Sequence, residues 1–227
     1  MGLKVAPTLA AFLPWGRLRP LVYRLLTRAK VGRGVRIGYG TYLDAKSLTI
    51  ADGTHVGRLN FLKEIDTLEL AEGATIDHYN HVSVLARFSL GRDAKMGSRS
   101  TVAGSAWSGE KGSFLVGEGA LITGQHHFDC TRTIVIGDRT TVAGVFSSIW
   151  THGYRRESLQ DVLIGKGCYL GASIQIASGV TLADHTVVGM GSVVLESLLE
   201  ANCLIAGVPA RVLRRDYNPK HTQDAGH

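Results

Sequence analysis

From Val31 onward the chain sets an aliphatic residue every six positions, with small or acidic residues between. The clearest run is LIGKGCYLGASIQIASGVTLADHTVVGMGSVV, whose leads are Ile164, Leu170, Ile176, Leu182, Val188 and Val194. Earlier leads are Val31/Ile37/Leu43, Ile50/Val56/Leu62, Leu70/Ile76/Val82, Leu90/Met96/Val102, Val116/Ile122/Phe128 and Ile136/Val142/Ser148. Neither a helical period of about 3.6 nor the alternation of a half-buried strand gives a persistent six. Three short strands per triangular coil do, with each lead stacked on its counterpart in the next coil. The pattern predicts an all-β solenoid of eight coils over residues 31–200. The first leads are 31, 50, 70, 90, 116, 136, 164 and 182. The two wide gaps, 90 to 116 and 136 to 164, predict loops leaving the coil near 103–115 and 149–163. Solenoids carry such insertions on one face, commonly the binding face.

The ends depart from the hexad. Within 1–30, Leu18, Leu21, Val22, Leu25 and Leu26 follow helical spacing. Two readings stand: a helix capping the open end of the solenoid, or a basic helix lying on a membrane surface. Residues 201–227 read as a short helix or tail. Composition fits the solenoid, since 28 glycines against roughly 16 for average usage imply many tight corners. The three cysteines form no C-x-x-C pair and point to a reducing, cytoplasmic setting. Prolines and arginines in the early apolar run argue against a signal peptide. No apolar run approaches the ~18 residues of a membrane span.

The segment SIWTHGYRRES opens the longer insertion and carries the chief candidate, His152. A second cluster is GQHHFDC. Eleven residues after their coils' first leads, His81, Thr101, His127 and Ser147 predict a polar column on one face. It is either ordinary surface polarity or a wall of an acceptor site, with Asp129 orienting a histidine or holding a hydroxyl. His126 falls at an inward position and reads as a satisfied buried histidine. Cys168, at the small fifth position of its hexad, reads as core.

The hexads, the T-H of Thr151-His152 followed by Val162-Leu163-Ile164-Gly165, and the ending LIAGVPARVLR together resemble the hexapeptide-repeat acyltransferases, including maltose and galactoside acetyltransferases and polysaccharide O-acetyltransferases. The resemblance implies a left-handed parallel β-helix, a homotrimer with sites between subunits, and an acyl-CoA donor, acetyl-CoA above all. His152 becomes the general base, a role suited to a neutral imidazole. A backbone amide of the Gly171-Ala172 turn becomes the oxyanion donor. Tyr169 stands where the family has tryptophan, and Gly189-Met190-Gly191 where it has G-A-G. Arg211 and Arg214 match basic positions that meet CoA phosphates, and on a helical turn they point the same way. Leu195-Glu196 and SLLEAN depart from the family's pattern.

The resemblance implies transfer of an acyl group to a sugar or polysaccharide hydroxyl. The motif does not separate this from N-acylation of an amino sugar, and a non-catalytic scaffold is the reading from another class. Trp107, in the shorter insertion, reads as a sugar-stacking residue or an interface anchor. Basic residues gather at the two ends without a continuous stripe, so no nucleic-acid partner is expected. No H-x-x-x-x-H pair occurs, and no metal is expected.

Overall fold

The computed structural model describes residues 4–16, 18–105, 109–153 and 159–217. The hexads form a three-faced parallel β-helix. On the first face Val31, Ile50, Leu70, Leu90, Val116, Ile136, Ile164 and Leu182 pair in succession. On the second, the stack runs from Ile37 through Val56, Ile76, Met96, Ile122, Val142, Leu170 and Val188 to Ile205. The third stacks Leu43, Leu62, Val82, Val102, Phe128, Ile149, Ile176 and Val194. Apart from Val31 at the open end, these side chains are buried and form one continuous core.

Two details refine the hexad count. Phe128 pairs with Ile149, so the predicted third lead of its coil, Ser148, is displaced by one residue. The corner after Val142 holds one residue more than its neighbours, and Ile149 takes the buried position. The first three coil spacings, of 19, 20 and 20 residues, arise where Tyr42–Ile50, Phe61–Leu70 and His81–Leu90 run unbroken around the third-to-first corner. Glu64 and Val84 turn there with left-handed backbone, and Ile65 and Leu85 become added core residues. At the first-to-second corner Gly53 has φ +70°, a conformation glycine adopts without a Cβ penalty.

Two helices cap the first coil, α1 (Val5–Phe12) and α2 (Arg19–Leu26). Tyr23 is buried and its hydroxyl accepts from the Leu43 amide at 3.1 Å. Burial pushes that phenol well above its ordinary pKa. Arg19 is buried too, donating to the Leu13 carbonyl at 2.9 Å and the Ile37 carbonyl at 2.8 Å. A cap is therefore present, but the stripe of Leu18, Leu21, Leu25 and Leu26 faces outward. The other end also differs from the expected helix or tail. Leu204–Gly207 adds a rung to the second face and Ala210–Arg214 folds back antiparallel on it. This hairpin satisfies backbone groups that a terminal strand leaves unpaired.

Candidate active site

The third-face strands His127–Asp129 and Ser148–Trp150 lie side by side, with His127 opposite Ser148 and Asp129 opposite Trp150. Alternation buries Phe128 and Ile149 and turns His127, Asp129 and Trp150 outward. The His127 and Trp150 rings are 5.0 Å apart, and the Trp150 and His152 rings meet edge-on at 5.9 Å. Beyond the strand, Thr151 turns inward and is fully buried. Its Oγ1 lies 2.7 Å from the Asp129 carbonyl oxygen and 3.1 Å from Asp129 Oδ1, and accepts from the Arg132 amide at 2.9 Å. Thr151 thereby fixes where the next residue emerges.

That residue is His152. Its Nδ1 lies 2.9 Å from Asp129 Oδ1. The carboxylate sits off the ring's N–H axis, so the contact is a close charge–dipole pairing without good hydrogen-bond alignment. Such pairs commonly align only when substrate is bound. The Asp129 carboxylate is 14% exposed and also accepts from the Thr131 amide at 3.3 Å, whereas the His152 ring is 36% exposed. The ring thus faces an anchored carboxylate through Nδ1 and is partly exposed as a whole.

Both insertions spring from this same third-to-first corner. The shorter leaves at Gly104, whose amide donates to the Ser83 carbonyl, and returns at Gly112, whose carbonyl accepts from the Ala86 amide. A Cβ at Gly112 would stand 2.2 Å from the carbonyl oxygens of Cys130 and Arg132, so only glycine permits this approach. Lys111 ties the loop to Asp66 at 2.9 Å. Hydrogen bonds from Lys46 and Lys111 hold the Asp66 carboxyl below its usual range. The longer insertion is closed by the Gln160 amide donating to the Thr151 carbonyl at 3.2 Å, and Asp161 accepts from the Thr133 amide at 2.8 Å. Trp107, Arg155 and Arg156 lie outside the described residues.

The remaining predicted residues fall elsewhere. His81, Thr101 and His127 do share a column, but the next member is Ser148 and not Ser147. Ser147 is buried, displaced by the same extra corner residue. His81 stacks on Phe61 at 6.0 Å, two rungs (about 10 Å) from His127. Its imidazole is shifted below its ordinary pKa by burial and by Lys63. His126 is buried, with Nε2 3.0 Å from Thr123 Oγ1 and Nδ1 accepting from the Ser147 amide at 3.2 Å. Cys168 is core, its thiol pushed up to about 11, mainly by burial.

Tyr169 projects from the second face, and Gly171-Ala172 forms the corner between the second and third faces. The Gly171 amide is engaged with the Val188 carbonyl at 2.9 Å. Gly189 packs against Ala206, Met190 is exposed, and Gly191 has φ +69°. Arg211 and Arg214 occupy the bulged strand of the hairpin, not a helical turn. Arg211 approaches Glu196 at 3.8 Å and Arg214 lies over the Tyr217 ring. Within one chain, then, Tyr169, Met190 and the two arginines belong to a different edge of the prism from His152. Thr151 is the residue that sequence reasoning missed as a positioning group. The buried slot directly before a projecting histidine was its signal.

No protein-family model matches the chain. Among curated proteins it is similar to galactoside O-acetyltransferase of Escherichia coli (strain K12), at 33% identity over 90 residues, 36% of this chain and 44% of that protein. It is also similar to WbbJ of the same organism, an inferred lipopolysaccharide biosynthesis O-acetyl transferase, at 27% identity over 125 residues, 48% of this chain and 63% of that protein. The chain thus spans less than two thirds of either relative. Among solved structures, LpxA from Acinetobacter baumannii superposes with a TM-score of 0.66 at 15% identity, covering 88% of this chain and 74% of that one. That likeness shows the fold, a left-handed parallel β-helix, and in sequence the chain resembles the hexapeptide-repeat acyltransferases.

Proposed function

We propose that the chain is an acyl-CoA-dependent O-acyltransferase, with acetyl-CoA as donor and a sugar or polysaccharide precursor as acceptor. The observation that carries this reading is the His152–Asp129 pair at 2.9 Å, projected between two loop insertions. The partial similarity to a galactoside O-acetyltransferase supports a hydroxyl acceptor over an amine.

In the proposed reaction Asp129 favours the tautomer with the proton on Nδ1, leaving Nε2 as the base. His152 Nε2 takes the acceptor's hydroxyl proton as that oxygen bonds to the thioester carbonyl carbon. The C–S bond then breaks, the acyl group stays on the acceptor, and the imidazolium returns its proton to the departing thiolate. No enzyme-bound acyl intermediate is required, which agrees with the burial of Cys130, Cys168 and Cys203. Positioning and oxyanion stabilisation supply most of the rate in such a transfer.

The donor side of this reading rests on Tyr169, Ala172, Gly189, Met190, Arg211 and Arg214. Because they lie on another edge of the prism, the reading calls for a second copy facing His152, in a homotrimer. Exposed Leu59, Tyr79 and Phe146 lie along the second-to-third corner, with Arg99 and Gln125 in the two coils between Tyr79 and Phe146, and are apolar groups that such packing would cover. His127, Trp150 and Trp107 are then acceptor-side groups. The test is acetyl-CoA consumption against a panel of sugars, amino sugars and nucleotide sugars, run with the wild-type chain and His152→Ala. Turnover on a hydroxyl acceptor that disappears in the variant supports the proposal. No turnover, together with no rise in melting temperature on adding acetyl-CoA, favours a non-catalytic scaffold.

A further inference from the structure

The helical cap is built inside out. In α1 the buried residues are Pro7, Ala10 and Ala11, whereas Val5 (81% exposed), Leu9 and Phe12 recur at i, i+4 and i+7 on the outer side. In α2 the buried residues are Arg19, Pro20 and Tyr23, and the outer stripe is Leu18, Leu21 and Leu25 (79% exposed). Trp15, between the helices, is 66% exposed. Pro7, Ala10, Ala11, Val22 and Tyr23 close the first coil, and Phe12 meets the Tyr39 ring edge-on at 6.3 Å, which leaves Val5, Leu9, Leu18, Leu21 and Leu25 as the outward apolar side chains.

Charge indicates what covers them. The first 43 residues contain eight lysines and arginines and no aspartate or glutamate, so the remaining residues hold 17 basic against 19 acidic side chains. The whole positive excess is therefore gathered around this end. Arg24, Arg28, Lys30 and Arg36 are exposed, and Lys4 and Arg33 pair with Asp44 and Asp52. A stripe of leucines with an interfacial tryptophan and a basic surround suits the boundary of an anionic bilayer, where apolar side chains enter the acyl region and arginines meet headgroups. No helix among the described residues is long and apolar enough to cross a membrane, so the contact lies in the plane of the interface. We infer that the N-terminal helical cap docks the protein on a membrane surface rich in anionic phospholipid. This holds whether or not the acyl-transfer reading is right.

The test is sedimentation of the full chain with vesicles of phosphatidylcholine alone or phosphatidylcholine mixed with phosphatidylglycerol. The wild-type chain is expected to pellet with the mixed vesicles and to stay largely in solution with the neutral ones, with binding weakened at high salt. Val5→Glu combined with Leu25→Glu changes two of the most exposed positions. It should lower partitioning at least tenfold while leaving the melting temperature within a degree or two. Equal binding by this variant, or no binding by the wild-type chain, overturns the inference. So does a mass that falls to a smaller assembly in the variant without any vesicle binding, which would assign the stripe to a second copy.

Discussion

At the residue scale, His152 is distinguished by what precedes it. Buried Thr151 grips the end of the Asp129 strand, and the histidine has little choice of direction. A solvated loop histidine has no such anchor. We expect His152→Ala to lower kcat by about 10²–10⁴, the range for losing a general base, with the melting temperature nearly unchanged because the ring is part-exposed. Asp129→Asn should also lower kcat, with less effect on KM, since it removes the charge that sets the tautomer without emptying the site. A His152→Ala enzyme of full activity would falsify the assignment. The residue identities were legible because both sit in short polar runs inside an apolar repeat. Their contact was not, since it joins positions 23 apart across two coils.

At the scale of elements, the hexad rule predicted nearly every strand, because each buried lead must stack on the one below it. It slipped at Ser148, where the extra corner residue is followed at once by an insertion, so no later lead in that coil exposes the shift. Ile149→Ala should therefore cost about 2–5 kcal/mol, as for a large-to-small change in a packed core, while Ser148→Ala should cost little. Urea unfolding of the two variants separates the registers. The equivalent corner of the preceding coil carries a pH signature in His126, whose pKa burial lowers to about 4. Its depressed value means the folded state resists protonation. Stability is full above the unfolded value near ~6.5, falls as pH drops toward 4, and levels below that. The loss attributable to this one group is at most ~3 kcal/mol. His126→Asn should flatten that part of the pH–stability curve, and an unchanged slope would remove His126 as its cause. The helices show the opposite limit of sequence reading. Helical spacing identified α2 correctly, yet of the stripe it revealed only Val22 packs on the core and the four leucines face outward, because periodicity reports that one side differs and not which side is covered.

For the whole molecule, the solenoid separates the proposed donor and acceptor groups onto different edges of one prism. The proposed homotrimer would reconcile them, and light scattering should then give three times the 24.4 kDa chain mass. A monomeric chain with full turnover would contradict the shared site. The parallel coils and their number were readable in the sequence because they are one-dimensional repeats. How copies pack is set by the outer surface, which the hexad leaves nearly free. The most direct test of the account is single-turnover acyl transfer from acetyl-CoA to a hydroxyl acceptor by the wild-type chain and by His152→Ala at matched thermal stability. The account predicts transfer by the wild-type chain and a loss of at least a hundredfold in the variant. Equal rates in the two proteins would contradict it.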